Sequence, residues 1–312
     1  MGFQLGRESD SAKVRTLLPL MRMREKRREA TIERIVDTAL HLLESEGFEA
    51  LTIQRLAKEL GYAVGALYRY FRSKDALLVA LLHRVMDRVG EDMSAGLEWV
   101  ERERRERLIA ATQVESSPLT ASDGLLRLVV VCNVYVSFAQ SRRAEYGLIS
   151  TLMGDPREVL ATEAAAPIVR SLIRLQLMLT GVIDDAVRAG ALAPGDARER
   201  SVILWSAMQG VLQLRKLGRF GVAGVALDRL VPIALRTLMI GWGADAAMID
   251  RLTPHALEIA ESLARQRELK QERSRAAREA QEHDDDDESG SPDAADEPDE
   301  PDEEEVPDDP TN

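Results

Sequence analysis

Tyr68, Arg69, Tyr70, Arg72 and Lys74 place two phenols and three cations within seven residues. Phenol hydroxyls, guanidinium and ammonium groups are what a phosphate backbone selects, because they bring hydrogen-bond donors or positive charge to its oxygens. Arg69 can also hold a guanine edge through two parallel hydrogen bonds. Such groups act only if something rigid aims them. Upstream, Ile53, Leu56, Ala57 and Leu60 recur at three- and four-residue spacing, the pattern of a helix with one buried face. Gly61 follows where a left-handed residue stops one helix and lets the next start steeply. Leu67 and Phe71, four apart, bury a second short helix and leave Tyr68, Arg69 and Tyr70 largely on other faces. Two short helices about a glycine turn form a layout whose second helix fits a major groove.

The run Gly61-Tyr62-Ala63-Val64-Gly65-Ala66-Leu67-Tyr68-Arg69-Tyr70-Phe71-Arg72-Ser73-Lys74 resembles the G-V-S-x-G-T-L-Y-x-Y-F-x-S-K pattern of the TetR family of transcriptional regulators. The flanks agree with it. Ala30–Phe48 has the form of the family's first helix, with Ile32, Ile35, Val36, Ala39, Leu40 and Leu43 on one side, and Thr52 opens the next helix. The resemblance implies an all-α fold: an N-terminal three-helix helix-turn-helix domain and a larger helical ligand-binding and dimerisation domain. It also implies a homodimer on a palindromic operator in double-stranded DNA, acting as a repressor that a small, mostly apolar effector releases. DNA contacts are expected from Thr52, Val64, Gly65, Ala66, Tyr68, Arg69, Tyr70 and Lys74.

At two positions the chain departs from the pattern. Ala63 replaces a serine whose hydroxyl caps the recognition helix, an interaction worth ~1 kcal/mol. Ala66 replaces a threonine whose hydroxyl often reaches a phosphate. Together with the acidic tail described below, these keep open a second reading. In it, the chain is a helical interaction or scaffold protein with the TetR fold but without sequence-specific operator binding.

The net charge of −12 looks wrong for a partner of DNA until it is divided along the chain. Residues 283–312 hold sixteen Asp and Glu and no Lys or Arg, so residues 1–282 set 41 cations against 37 acids, a net +4. Residues 13–90 alone have fifteen cations and ten acids. The acidity belongs to the tail, and the motif-bearing end is basic. The lone Cys132 excludes an intramolecular disulfide and fits a reducing cytoplasm. No apolar run approaches ~20 uninterrupted residues, so no membrane partner is expected. His41, His83, His255 and His283 are scattered, with no second ligand at metal-binding spacing, and no phosphate-binding loop or nucleophile elbow is present. No catalytic site, cofactor or metal is expected.

The chain divides into a basic extension (1–29), a helix-turn-helix domain (30–76), a helical regulatory and dimerisation domain (77–243), a C-terminal helical extension (244–282) and a disordered acidic tail (283–312). Arg22, Arg24, Lys26, Arg27 and Arg28 crowd the first of these. Ser73 caps a helix running through Val89, Glu101–Arg107 reads as a solvated helix face, and Ser116–Gly124 as a loop. Helices are expected over about 125–141 and 144–153, then over Leu227–Ile240. Pro254 opens a long charged helix to Glu282. Ile168, Leu172, Leu175, Leu179, Val182 and Ala186 make one apolar stripe, and Ser201, Trp205, Met208 and Leu212 a second behind an Asp196 cap. In the TetR family such a pair forms a four-helix seam, which implies an interface of Ile168, Leu172, Leu175, Leu179, Val182, Trp205, Met208 and Leu212. The effector site the resemblance implies draws its candidates from the apolar helices: Tyr135, Phe138, Met153, Met178, Trp205, Met208 and Gln209. Adaptable methionines and broad rings suit an apolar or flat organic molecule.

Overall fold

The computed structural model describes residues 7–111, 117–154, 162–214 and 227–288, and among them the regular structure is helical throughout. In order these are α1 (Arg7–Glu46), a single 3₁₀ turn (Phe48–Ala50), α2 (Ile53–Glu59), α3 (Val64–Tyr68), α4 (Lys74–Ala110), α5 (Ala121–Ser141), α6 (Arg143–Gly154), α7 (Thr162–Arg188), α8 (Ala197–Leu214), α9 (Leu227–Gly241) and α10 (Ala246–Glu288). Met1–Arg265 form one compact unit, and Gln266–Asn312 a second in which residues 266–288 are helical. Residues 283–288, expected as the start of the disordered tail, are helical at the end of α10, and the rest of that expectation lies outside the described residues.

Local chemistry sets the helix starts. The Thr52 hydroxyl accepts from the Arg55 amide and caps α2, and the Ser73 hydroxyl accepts from the Ala76 amide and caps α4. Thr120 and Asp123 form a reciprocal capping box at α5. It begins that helix at Ala121, inside the segment expected as loop. The Asp196 carboxylate receives the Arg198 and Glu199 amides at the start of α8.

Three other boundaries differ from the sequence reading. The first helix does not start at Ala30. It reaches back to Arg7: residues 20–30 are strong helix formers that carry it to Pro19, and the helix continues through that proline. Helix α4 runs unbroken to Ala110, so Glu101–Arg107 is not simply a solvated face: Arg104 is buried, held by Glu101 and the Ser117 carbonyl. Helix α10 starts eight residues before Pro254, with Asp245 receiving the Met248 amide.

The core has α5 at its centre, packed by α4 and α7, with α8 against α7 and α9 against α8. Helix α5 is apolar on nearly every side and buried on nearly every side, as a helix without a polar face must be. At the other end, Ile35, Val36, Ala39 and Leu43 of α1 enclose Leu56, Leu67 and Phe71. Each of these side chains larger than alanine contributes roughly 1.5–3 kcal/mol on burial.

Candidate nucleic-acid interface and effector site

Helix α2 ends on Gly61, whose φ of 65° lies in the left-handed region, and the Tyr62 amide closes the turn on the Ala57 carbonyl at 2.8 Å. Tyr62 is pinned in turn to α1: the Arg34 guanidinium donates to its hydroxyl and lies 5.2 Å from its ring centroid. Ala63 sits in the cap position of α3 with no side-chain hydrogen bond, so the five-residue helix is held by its anchors instead. Those are Leu67 and Phe71, both buried.

What the anchors leave outward is the candidate interface. Val64, Gly65, Tyr68 and Arg69 are exposed, Tyr68 by 47%. Lys74, on the first turn of α4, is exposed with its ammonium 5.3 Å from the Phe48 ring centroid, which aims it without neutralising it. Arg55 is different. Glu46 and Glu59 both hold it at 2.5 Å, so its charge is matched within the chain. The exposed basic residues Arg22 to Arg28 are helical on α1.

A second constellation lies in the core between α5, α6 and α8. The Tyr135 and Tyr146 hydroxyls both donate to the Gln209 Oε1 at 2.9 Å. Trp205 hydrogen-bonds Tyr135, and the Phe138 ring centroid is 6.2 Å from that of Tyr135. Burial pushes the Tyr135 phenol well above its ordinary range, so it stays a neutral donor. Gln209 is 5% exposed, and its Nε2 has no partner. An orphaned buried amide donor costs about 1–3 kcal/mol, so this end of the side chain is poised for an acceptor.

One residue before Tyr146, Glu145 is fully buried and takes hydrogen bonds from Arg88 (3.1 Å) and Arg142 (3.2 Å). Arg88 also holds Asp37 of α1 at 2.9 Å. Two consecutive residues of α6 therefore face two ways, one toward the Gln209 cluster and one toward the first helix.

The outer side of α7 and α8 is apolar and open. The Ser201 hydroxyl meets those of Thr180 and the amide oxygen of Gln176, both at 3.1 Å, so the two helices lie side by side. Val169, Ile173 and Leu177 stand on the exposed face of α7, Ile173 by 50% and Leu177 by 59%, and Val202, Ile203 and Leu214 on that of α8.

Residues 35–81 match the tetR family of bacterial regulatory proteins, and residues 128–238 match the tetracyclin repressor-like C-terminal domain, together about half of the chain. The chain belongs to the TetR family. Over 68 residues it is 40% identical to the nucleoid occlusion factor SlmA of Haemophilus ducreyi, a match covering 22% of this chain and 34% of that protein. Over 55 residues it is 42% identical to the HTH-type transcriptional repressor DrrR1 of Streptomyces coeruleorubidus, covering 18% and 20%. The chain thus spans about a third or less of the length of these curated relatives. A TetR-family structure from Mesorhizobium loti shares the fold at a TM-score of 0.50 and 10% identity, covering 70% of this chain and 99% of that one.

Within this TetR-family chain the sequence-predicted residues separate. Of the DNA set, Val64, Gly65, Tyr68, Arg69 and Lys74 are outward, and Ala66 is half-buried beside them. Thr52 spends its hydroxyl on the α2 cap, and Tyr70 is half-buried against the core, so neither is freely presented. Of the effector set, Tyr135, Phe138, Trp205 and Gln209 come together, and Met208 is buried next to Gln209. Met178 lines a different groove between α4 and α7, and the Met153 side chain lies outside the described residues. Tyr146 joins the cluster unforeseen, because nothing in its local spacing marks it. The dimer set is corrected: Ile168, Leu179, Val182, Met208 and Leu212 are buried within the chain and cannot form an outer seam. Leu172, Leu175 and Trp205 are half-buried. The helix is apolar on two faces, and the three- and four-residue stripe picked out the inner one.

Proposed function

We propose that this TetR-family chain is a cytoplasmic, DNA-binding transcriptional repressor. In this reading it acts as a homodimer, reads a palindromic operator through α3 and the first turn of α4, and is released by a small, mostly apolar effector. The observation that carries the reading is the pair of outward faces on one unit, Tyr68 with Arg69 on α3 and Ile173 with Leu177 on α7. A second copy covering the α7–α8 face about a two-fold axis buries the apolar side chains on both partners at once. It also sets two recognition helices on half-sites ~34–36 Å apart or somewhat more. Similarity to a repressor over the helix-turn-helix segment supports the direction of control.

The effector reading rests on the Gln209 cluster. A ligand carrying one hydrogen-bond acceptor satisfies the orphaned Nε2, while Phe138, Trp205 and Met208 offer apolar contact. Pulling Gln209 away from Tyr146 displaces α6, and with it Glu145 and the Arg88 that grips Asp37 on α1. A ligand shifts that equilibrium only by its difference in affinity for the two arrangements.

The test is a mobility-shift titration with the promoter region beside its own gene, with and without random competitor DNA. A complex of two protomers that survives competitor supports the reading. Equal loss to competitor on every fragment would instead favour a scaffold that keeps the fold, the reading to which the uncapped Ala63 lends weight.

A further inference from the structure

A cavity of about 340 Å³ opens between α5, α9 and α10, on residues that the Gln209 cluster does not use. Its volume falls in the range of small-molecule sites, roughly 300–1,000 Å³, and is too small for a secondary-structure element. Cys132, Leu235, Met239, Ile249 and Leu257 give it an apolar wall. The polar groups are few and placed. Asn133 donates its amide nitrogen to the Val129 carbonyl of its own helix at 2.8 Å, and among the described residues nothing donates to its Oδ1. At the rim, Arg236 and Asp250 pair through two bonds of 2.8 and 2.9 Å, tying α9 to α10.

We infer that this cavity is a second ligand site, taking an uncharged, mostly apolar molecule with one hydroxyl group that donates to the Asn133 Oδ1. A charged ligand fits poorly, for two reasons. The rim charges already satisfy each other, and the wall is dry enough to push the Cys132 thiol up to about 12. Because α9 and α10 form two of its walls, the site differs in place and in polarity from the core cluster: here the protein offers an acceptor, there a donor.

Cys132 is the chain's one thiol and backs the wall with no exposed surface of its own, so a reagent reaches it only when the wall opens, and a ligand seated in the cavity holds the wall shut. The full-length protein is treated with methylmercuric chloride, whose mercury takes the sulfur as the thiol proton and the chloride leave, and the residual thiol is titrated after unfolding. With 2-naphthol at saturation the rate should fall at least tenfold, with naphthalene less, and with 2-naphthoate hardly at all. Asn133→Leu should remove the advantage of naphthol over naphthalene. Leu257→Ser, at a rim position 44% exposed and therefore safe for folding, should weaken protection by either. Gln209→Leu should leave protection intact. Equal protection by 2-naphthoate would overturn the uncharged class. Protection lost in Gln209→Leu but kept in Asn133→Leu would move the ligand to the core cluster. A modification rate that saturating 2-naphthol leaves unchanged would overturn the site.

Discussion

Helices α5 and α7 have the same mean hydropathy, 1.4, over windows long and apolar enough to cross a bilayer, yet 72% of the first window is buried in the chain and only 28% of the second. Composition cannot tell them apart. The difference lies in neighbours. Helix α5 is surrounded by α4, α6 and α7, whereas α7 turns its inner face to α4 and α5 and leaves Val169, Ile173 and Leu177 with none. An apolar face left open on a folded unit marks an interaction surface. One helix thus completes a core, and the other keeps an open apolar face.

The largest effect should come from attacking the open face alone. Ile173→Glu with Leu177→Glu places four like charges in the proposed seam of a dimer, where unpaired charge is strongly disfavoured. We expect monomers in sedimentation and a dimer dissociation constant raised by at least ~10³, or about 4 kcal/mol. Operator binding should fall with it, with helix content unchanged. Leu179→Glu, on the buried face of the same helix, should unfold the chain instead. A double variant that still sediments as a dimer would place the seam elsewhere.

The same contrast explains what the sequence made legible. The helix-turn-helix was readable because its geometry is local: Gly61, Leu67 and Phe71 fix the turn and the anchors within a dozen residues, and the side chains between them must face out. The identity of α7 as an apolar helix was readable too. Which of its two apolar faces meets the core was not, since that depends on α4 and α5, distant in sequence. Tyr146 and Arg88 escaped for the same reason, being defined by Gln209 and Asp37, 63 and 51 positions away. The start of α5 was legible in principle. Thr120 and Asp123 stand at the spacing of a capping box, although Pro118 beside them reads as a loop.

The inner side of the comparison can be broken separately. At Gly124 of α5 an added Cβ would meet the Ala186 Cα and the Ala189 Cβ at 3.0 Å, so the two helices touch there backbone to backbone. Gly124→Val should lower stability by about 1–3 kcal/mol, the usual range for overpacking. Urea unfolding should show it as a shifted midpoint, in monomeric and dimeric backgrounds alike. An unshifted midpoint would mean that α5 does not depend on this approach to α7.

A third outward face, on α3 and α4, awaits phosphate rather than apolar surface. Lys74→Ala should weaken specific and random DNA binding alike, and reduce the slope of log affinity against log salt by about one unit. Arg69→Ala should instead change which sequences are preferred, because its neighbours Val64, Gly65 and Ala66 offer only shape and methyl contacts. Identical site preferences for the two proteins in a binding-site selection would take Arg69 out of sequence choice.

The smallest effect tests whether the joint between α1 and α6 is set by charge as well as by packing. Glu44 is exposed along its outer side, but partial desolvation, then the negative charge of Glu145, hold its carboxyl above its ordinary 4.5, while Arg142 and Arg88 pull the other way. The Glu145 Oε2 has no partner, so a proton kept on Glu44 can bridge the two carboxyls. The folded chain then binds that proton more tightly than the unfolded chain does. Its contribution is therefore largest at low pH, and is lost as pH rises from 4.5 through the raised folded value. Glu44→Gln supplies a donor that does not titrate. Melting temperatures of both proteins, followed from pH 4.5 to pH 7, should begin close together and part as pH rises, with the variant the more stable at neutrality. Parallel curves would show that Glu44 plays no part in docking α6 against α1, and would leave Arg88 as the tie between them.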